Sequence, residues 1–261
     1  MQLIKIDPPG TLCQYSAIFD LLKHIEARTF LEVGCGSGNL SLKLCREGLV
    51  GYGLDLSDQA VKETKANLAG FIKSRKYEVF QGDIREVDLP KLKQNPVDLV
   101  ICMMVLEHIE NEASFLSILK RYLNPGGHLI LGVPARIDKW NIEDETVGHL
   151  RRYERDDIEK VLKASEFSIV ELWSVSVPIA NILYSLGNYL LSKSDEASKK
   201  YLNKREQTEV SGLQVIPFKT HFPKCFKLVL NEYTMYPFFL LQRFFYKTSL
   251  GLTIICLAKL K

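Results

Sequence analysis

Phe30-Leu31-Glu32-Val33-Gly34-Cys35-Gly36-Ser37-Gly38-Asn39-Leu40 is the stretch whose reading decides the fold. A short apolar strand pattern runs into three glycines at alternate positions. A helical pattern follows at once, with Leu40, Leu42, Leu44 and Cys45 on or near its inner face. Glycine suits such a turn because the backbone bends sharply there and approaches a ligand closely. A strand, glycine turn and helix in that order open an α/β sheet whose ligands bind outside the carboxyl ends of its strands.

The same rhythm extends outward in both directions. Residues 15–27 place Ile18, Leu21, Leu22 and Ile25 at helical spacing. Strands are expected at 50–55, 77–80, 97–103, 128–133 and 167–175, and a last one at 252–258. Helices are expected at about 59–68, capped by Ser57 or Asp58, at 113–123, and at 155–165. Residues 97–103 are almost wholly apolar, as befits a strand covered on both faces. Strands alternating with helices predict a doubly wound, mostly parallel sheet of seven strands. The long stretch between the sixth and last strands predicts an insertion. The expected division is a sheet domain at 1–175 and 250–261, with the insertion at 176–249.

Composition narrows the classes. The chain has 261 residues, 46% hydrophobic and 25% charged, which is a soluble globular mixture. Its formal charge of +3 is too small to argue for nucleic acid. Cys13, Cys35, Cys45, Cys102, Cys225 and Cys256 are scattered, with no metal spacing. They read as reduced thiols of a cytoplasmic protein with no metal site. The first residues lack the order of a signal peptide, and no apolar run is long enough to span a bilayer. Residues 175–191 and 233–246 come closest, and peripheral contact with a membrane remains open for both.

Further motifs fall at strand ends. Asp55 ends the second strand, where a carboxylate accepts hydrogen bonds from ribose hydroxyls. Gly82-Asp83-Ile84 ends the third, and Cys102-Met103-Met104 ends the fourth. Together with Asp98-Leu99-Val100, Leu106-Glu107-His108-Ile109 and Leu123-Asn124-Pro125-Gly126-Gly127, they make the sequence resemble the class I S-adenosylmethionine-dependent methyltransferases, closest to their type 11/12 small-molecule branch. The likeness covers roughly residues 15–175, and residues 251–259 are similar to that family's last strand. It implies the Rossmann-like methyltransferase fold and S-adenosylmethionine as cofactor, with S-adenosylhomocysteine as product. Glu32, Gly34, Cys35, Gly36 and Gly38 would then line the methionine end. Asp55 would hold the ribose, and Leu56 and Ile84 would pack on the adenine faces. Asp83 would reach the adenine amino group, and Cys102 and Met103 would sit near the sulfonium. The rival reading is an NAD-binding oxidoreductase, whose G-x-G-x-x-G fingerprint this chain breaks at Asn39. Glu32 is also poorly placed for a pyrophosphate. A non-catalytic member of the fold, binding cofactor or a partner, is the other alternative.

The loop after the fifth strand, residues 135–153, contains Trp140 and Gly148-His149-Leu150-Arg151-Arg152-Tyr153. This resembles a GHxRRY element of the same branch, which would lie beside the methyl donor. His149 is the candidate general base, since histidine titrates near neutral pH. Trp140, Arg151, Arg152 and Tyr153 are candidate acceptor contacts, with the arginines able to clamp a carboxylate or phosphate. The plainer reading is that the arginines pair with Asp144, Glu145 or Glu154 and fix the loop. His108 borders the cleft in the family and reads as structural or cofactor-lining. The insertion, apolar at 175–191 and aromatic at 220–246, reads as an acceptor lid, a homodimer face or a lipid contact. The expected function is methyl transfer to a small-molecule acceptor, apolar or lipid-like in one version, by in-line displacement in a partly desolvated cleft.

Overall fold

The computed structural model describes residues 3–212 and 214–261; Met1, Gln2 and Leu213 lie outside them. The strands are β1 (Leu3–Lys5), β2 (Thr29–Val33), β3 (Val50–Asp55), β4 (Tyr77–Gln81), β5 (Val97–Met103), β6 (Leu123–Pro134), β7 (Phe167–Val175), β8 (His221–Pro223) and β9 (Thr253–Leu260). The helices begin with α1 (Pro9–Leu22), α2 (Asn39–Arg46), α3 (Asp58–Asn67), α4 (Ala69–Lys73), α5 (Pro90–Gln94) and α6 (Glu112–Lys120). They continue with α7 (Ile142–Val147), α8 (Arg155–Ala164), α9 (Ile179–Ser192), α10 (Lys204–Ser211) and α11 (Glu232–Arg243).

Seven strands form one sheet in the order β4-β3-β2-β5-β6-β9-β7, and β1 pairs with β8 in a separate antiparallel ribbon. β2 lies parallel to both β3 and β5, and β5 lies parallel to β6. Strand order therefore reverses at β2, where sheets of this kind open a ligand crevice. The expected seven-stranded doubly wound fold is the one observed. β5 is buried on both faces, with Leu99, Val100, Ile101 and Cys102 all at 0% exposure. At its start Asp98 accepts hydrogen bonds from the Arg28 and Thr29 amides, the Thr29 hydroxyl and the Asn124 amide at 2.9–3.0 Å. One carboxylate thus ties the beginnings of β2, β5 and β6 together.

Some bounds differ from the sequence reading. α1 starts at Pro9, because proline's fixed φ suits the first helical position. β6 begins at Leu123, since Leu123 still pairs with Val97 before a register shift. On α2, Ser41 rather than Leu42 joins Leu40, Leu44 and Cys45 on the buried face.

The described chain forms two compact units. The glycine-loop unit comprises Leu21–Val133, Asp156–Glu171 and Cys256–Lys261. The insertion unit comprises the described residues up to Asp20, Pro134–Arg155 and Leu172–Ile255. This grouping departs from the expected boundaries at 175/176 and 249/250 for physical reasons. Leu12 and Cys13 of α1 are buried against Met235 and Phe239 of α11, and Arg155 donates to the carbonyls of Leu172 and Thr248. Among the described residues no helix is long and apolar enough to cross a membrane.

Candidate functional site

In the glycine-loop unit, β2 ends at Val33 and the chain turns through Gly34 and Gly36 with φ of 76° and 54°. A Cβ on Gly34 would stand 2.5 Å from the Val105 methyl group, so no other residue fits without displacement. Gly36 faces open space instead. Its chain neighbours apart, no described atom lies within 4 Å of where a Cβ would be. A glycine without neighbours on that side leaves room for a ligand to approach the backbone closely.

Asp55, at the end of β3, holds this cradle. Its carboxylate accepts from the Gly36 amide at 2.7 Å and from the Ser57 amide at 2.9 Å. Ser57 in turn caps α3 by accepting from the Ala60 amide. The acid expected on a ribose is therefore also the acid that shapes the glycine turn. Leu56 is half-buried and Ile84 is buried.

Glu32 is almost fully buried, and the Ser41 hydroxyl donates to it at 2.5 Å. The Tyr77 hydroxyl donates to Ser41 at 2.9 Å and completes the chain. Burial pushes the Glu32 carboxyl up to about 8, with the Asp55 charge adding to the rise and the Ser41 hydrogen bonds opposing it. Near neutral pH this acid is poised to ionise for a cationic group, which a pyrophosphate is not. Ser41 and Tyr77 were missed in the sequence, since Tyr77 arrives from β4 with no local pattern.

Asp83 is held by Arg85, whose Nε lies 2.9 and 3.0 Å from the two carboxylate oxygens. That clamp was also missed, and it makes Asp83 one half of an ion pair. Cys35 and Cys102 are buried, with thiols pushed far up by loss of solvent. Cys102 presents no surface at all, and at the end of β5 Met103 and Met104 are half-buried.

The insertion unit contains the loop after β6. Asn141 caps α7 in a capping box with Asp144, whose carboxylate accepts from the Asn141 amide at 2.8 Å. Gly148, at φ 82°, ends α7 and turns the chain back. His149 Nδ1 then comes to 2.7 Å from Asp144, and Arg152 Nε comes to 2.8 and 3.0 Å. A second Arg152 nitrogen donates to the Ala135 carbonyl at 3.0 Å. A carboxylate only accepts, so the His149–Asp144 contact places a proton on Nδ1 and leaves Nε2 as the nitrogen that carries the lone pair when the imidazole is neutral. Burial alone would raise the Asp144 carboxyl, but the His149 and Arg152 hydrogen bonds outweigh it and hold it below the usual range.

The structure thus joins His149 and Arg152 through Asp144. Arg152 is buried and takes the loop-fixing role that the sequence reading set beside the acceptor clamp. Tyr153 is 2% exposed and bridges to Ala135, which makes it a wall of the loop rather than a surface contact. Arg151 is half-buried, and Trp140 is exposed.

Residues 13–172, more than half of the chain, match the family model described as "Methyltransferase domain". A "Ubiquinone biosynthesis O-methyltransferase" of Thiobacillus denitrificans is 32% identical over 40% of this chain and 43% of its own length. A "Probable S-adenosylmethionine-dependent methyltransferase" of Mycolicibacterium smegmatis is 26% identical over 62% and 61%. The match to the ubiquinone-biosynthesis relatives spans half of their length or less. Among solved structures, StiE O-MT aligns over 96% of this chain and 75% of that one, with a TM-score of 0.58 and 16% identity. The YcgJ protein of Bacillus subtilis aligns over 95% and 98%, with a TM-score of 0.56 and 14% identity. These two show the fold. The chain belongs to the methyltransferase-domain family, the S-adenosylmethionine-dependent group its sequence resembles.

Proposed function

We propose that this chain transfers a methyl group from S-adenosylmethionine to a small acceptor that is apolar or lipid-like. The observation that carries the reading is the Gly36–Asp55 hydrogen bond at the point where strand order reverses, in a chain of this family. When bound, the cofactor supplies an electrophilic methyl group on a sulfonium centre. Gly34, Gly36 and Gly38 give its methionine end a close backbone approach, with Cys35 filling the loop from behind. Glu32 offers that end a buried carboxylate. Asp55 takes the ribose hydroxyls, Leu56 and Ile84 sandwich the adenine, and Asp83 accepts from its amino group. Met103 faces the sulfonium end, with Cys102 as packing beneath it.

On the acceptor side, His149 Nε2 removes a proton from an acceptor hydroxyl or amine, and Asp144 stabilises the imidazolium that forms. The relatives named as O-methyltransferases of ubiquinone biosynthesis support a hydroxyl acceptor on an apolar molecule. Trp140, Arg151 and Tyr153 shape the acceptor side, and Arg152 holds the loop. We place the protein in the cytoplasm, a reading supported by six free cysteines.

The test is calorimetric titration with S-adenosylhomocysteine, beside Asp55→Ala. One-to-one binding that the variant loses is the expected result. A well-folded wild-type protein that does not bind would refute the reading. Turnover with hydroxylated apolar acceptors then separates an enzyme from a non-catalytic binder.

A further inference from the structure

The segment from Lys224 to α11 carries a projecting apolar face. Leu228 is 78% exposed, Val229 60%, Tyr233 91% and Tyr236 55%. Two aliphatic side chains and two tyrosines within nine residues are thus more than half exposed, and a cluster of exposed apolar groups marks an interaction surface. The inner face of the same segment is anchored. Met235 and Phe239 are buried against Leu12 and Cys13, with Leu230 and Phe238 packed on them. The outer face is therefore held out by a fixed support.

The backbone at this tip is closed on itself. The Lys227 and Leu228 carbonyls accept from the Asn231 side-chain amide at 3.0 and 2.9 Å. The Val229 carbonyl accepts from the Thr234 hydroxyl. The Val229 and Leu230 amides both donate to the Phe226 carbonyl, at 3.0 and 2.7 Å. A turn that enters an apolar medium must satisfy its own polar groups, and this one does so with side chains from within eight residues.

The charge is one-sided. Residues 224–250 carry Lys224, Lys227, Arg243 and Lys247 against the single acid Glu232. Arg243 is paired with Asp20. Lys224 and Lys227 are exposed, and neither is in an ion pair among the described residues. Two unneutralised lysines thus flank the projecting Leu228 and Val229, with tyrosines behind them. Apolar tips, interfacial aromatics and adjacent lysines are the complement of an anionic lipid surface.

We propose that residues 224–236 dock this protein on an anionic phospholipid bilayer, with Leu228, Val229 and Tyr233 entering the headgroup boundary and Lys224 and Lys227 meeting lipid phosphates. The inference does not rest on the methyl-transfer reading, because docking is measured without cofactor. Should the acceptor be lipid-like, docking also supplies the place where it is met.

The test is co-sedimentation of the full chain with vesicles of phosphatidylcholine alone or mixed with phosphatidylglycerol. Binding is expected only to the anionic vesicles, weakening as salt rises. A lysine at such a surface strengthens binding about fivefold, so Lys224→Gln with Lys227→Gln should weaken it roughly thirtyfold. Leu228→Ser with Tyr233→Ser should abolish it, while both double variants keep the wild-type thermal melt. Tyr233→Trp should add emission that shifts to the blue on anionic vesicles. Failure of folded wild-type protein to sediment with anionic vesicles would overturn the proposal. Unchanged binding by both double variants would do the same. A dimer broken by Leu228→Ser with Tyr233→Ser, without vesicle binding, would assign the face to a second copy of the chain instead.

Discussion

Asp144→Ala should destabilise the insertion unit more than any other single change in the loop after β6. The Asp144 side chain is 0% exposed and takes hydrogen bonds from Arg152, His149 and the Asn141 amide. Its removal leaves the Arg152 guanidinium, 7% exposed, with its carboxylate gone. Breaking a buried ion pair from one side costs about 3–5 kcal/mol, because the remaining charge is uncompensated. For a chain of this size about 1 kcal/mol moves Tm by roughly 2–4 °C, so the expected fall is about 6–20 °C. In an Arg152→Met background the stranded charge no longer exists. Asp144→Ala should then cost only the helix cap, about 1 kcal/mol. The coupling in the double-mutant cycle is therefore about 2–4 kcal/mol, read from urea unfolding followed by near-ultraviolet circular dichroism. The pH dependence has a definite sign. Asp144 is held below its ordinary value in the folded protein. Its contribution is thus present above the unfolded carboxyl value and is lost as pH falls through roughly 4 toward the folded one. Asp144→Asn should flatten the acid limb of the stability curve. Additive behaviour of Asp144→Ala and Arg152→Met, within about 0.5 kcal/mol, would refute the reasoning.

Gly34→Ala should abolish S-adenosylhomocysteine binding, since the new methyl would meet Val105 and the left-handed φ adds about 1–2 kcal/mol of strain; calorimetry and a thermal melt check both effects. Glu32 should be protonated in the free protein at pH 7, since its carboxyl is pushed up to about 8. Cofactor binding should then release a proton, detected as a heat that varies with buffer ionisation enthalpy and that vanishes in Glu32→Gln. The same raised value makes ionisation cost stability as pH rises from the unfolded value, roughly 4.3, to about 8, so Glu32→Gln should remove that slope from pH-dependent melts.

The glycine turn and its partner Asp55, to which we assign the cofactor, were legible because their specification is local. Gly34, Gly36 and Gly38 set backbone conformation directly, and Asp55 follows at the end of the next strand. Period and glycine placement suffice to find such features. What escaped was assembled from afar or was too short to have a period. Tyr77 reaches Ser41 on α2 from β4, and the ribbon of β1 and β8 has three residues on each side. The α7 capping box was written locally as Asn141 and Asp144, but a helix of six residues carries too little periodicity to announce itself. Expecting the strand to begin only after Pro125-Gly126-Gly127 misplaced the start of β6, because Leu123 pairs on their near side.

Arg151 and Arg152 show why the acceptor half resists the same reading. The two side chains are identical and adjacent, and nothing in their spacing says which turns inward. The choice is made by Asp144, a buried acid fixed at the third position of a capped helix, whose carboxylate aligns with Arg152 Nε once Gly148 reverses the chain. The same carboxylate sets the tautomer of His149. Loop folding and the proton position on the candidate base are therefore one event. A substitution that loosens the loop should change the pH profile of methyl transfer as well as its rate, whereas one confined to the glycine turn should change cofactor affinity and leave that profile alone.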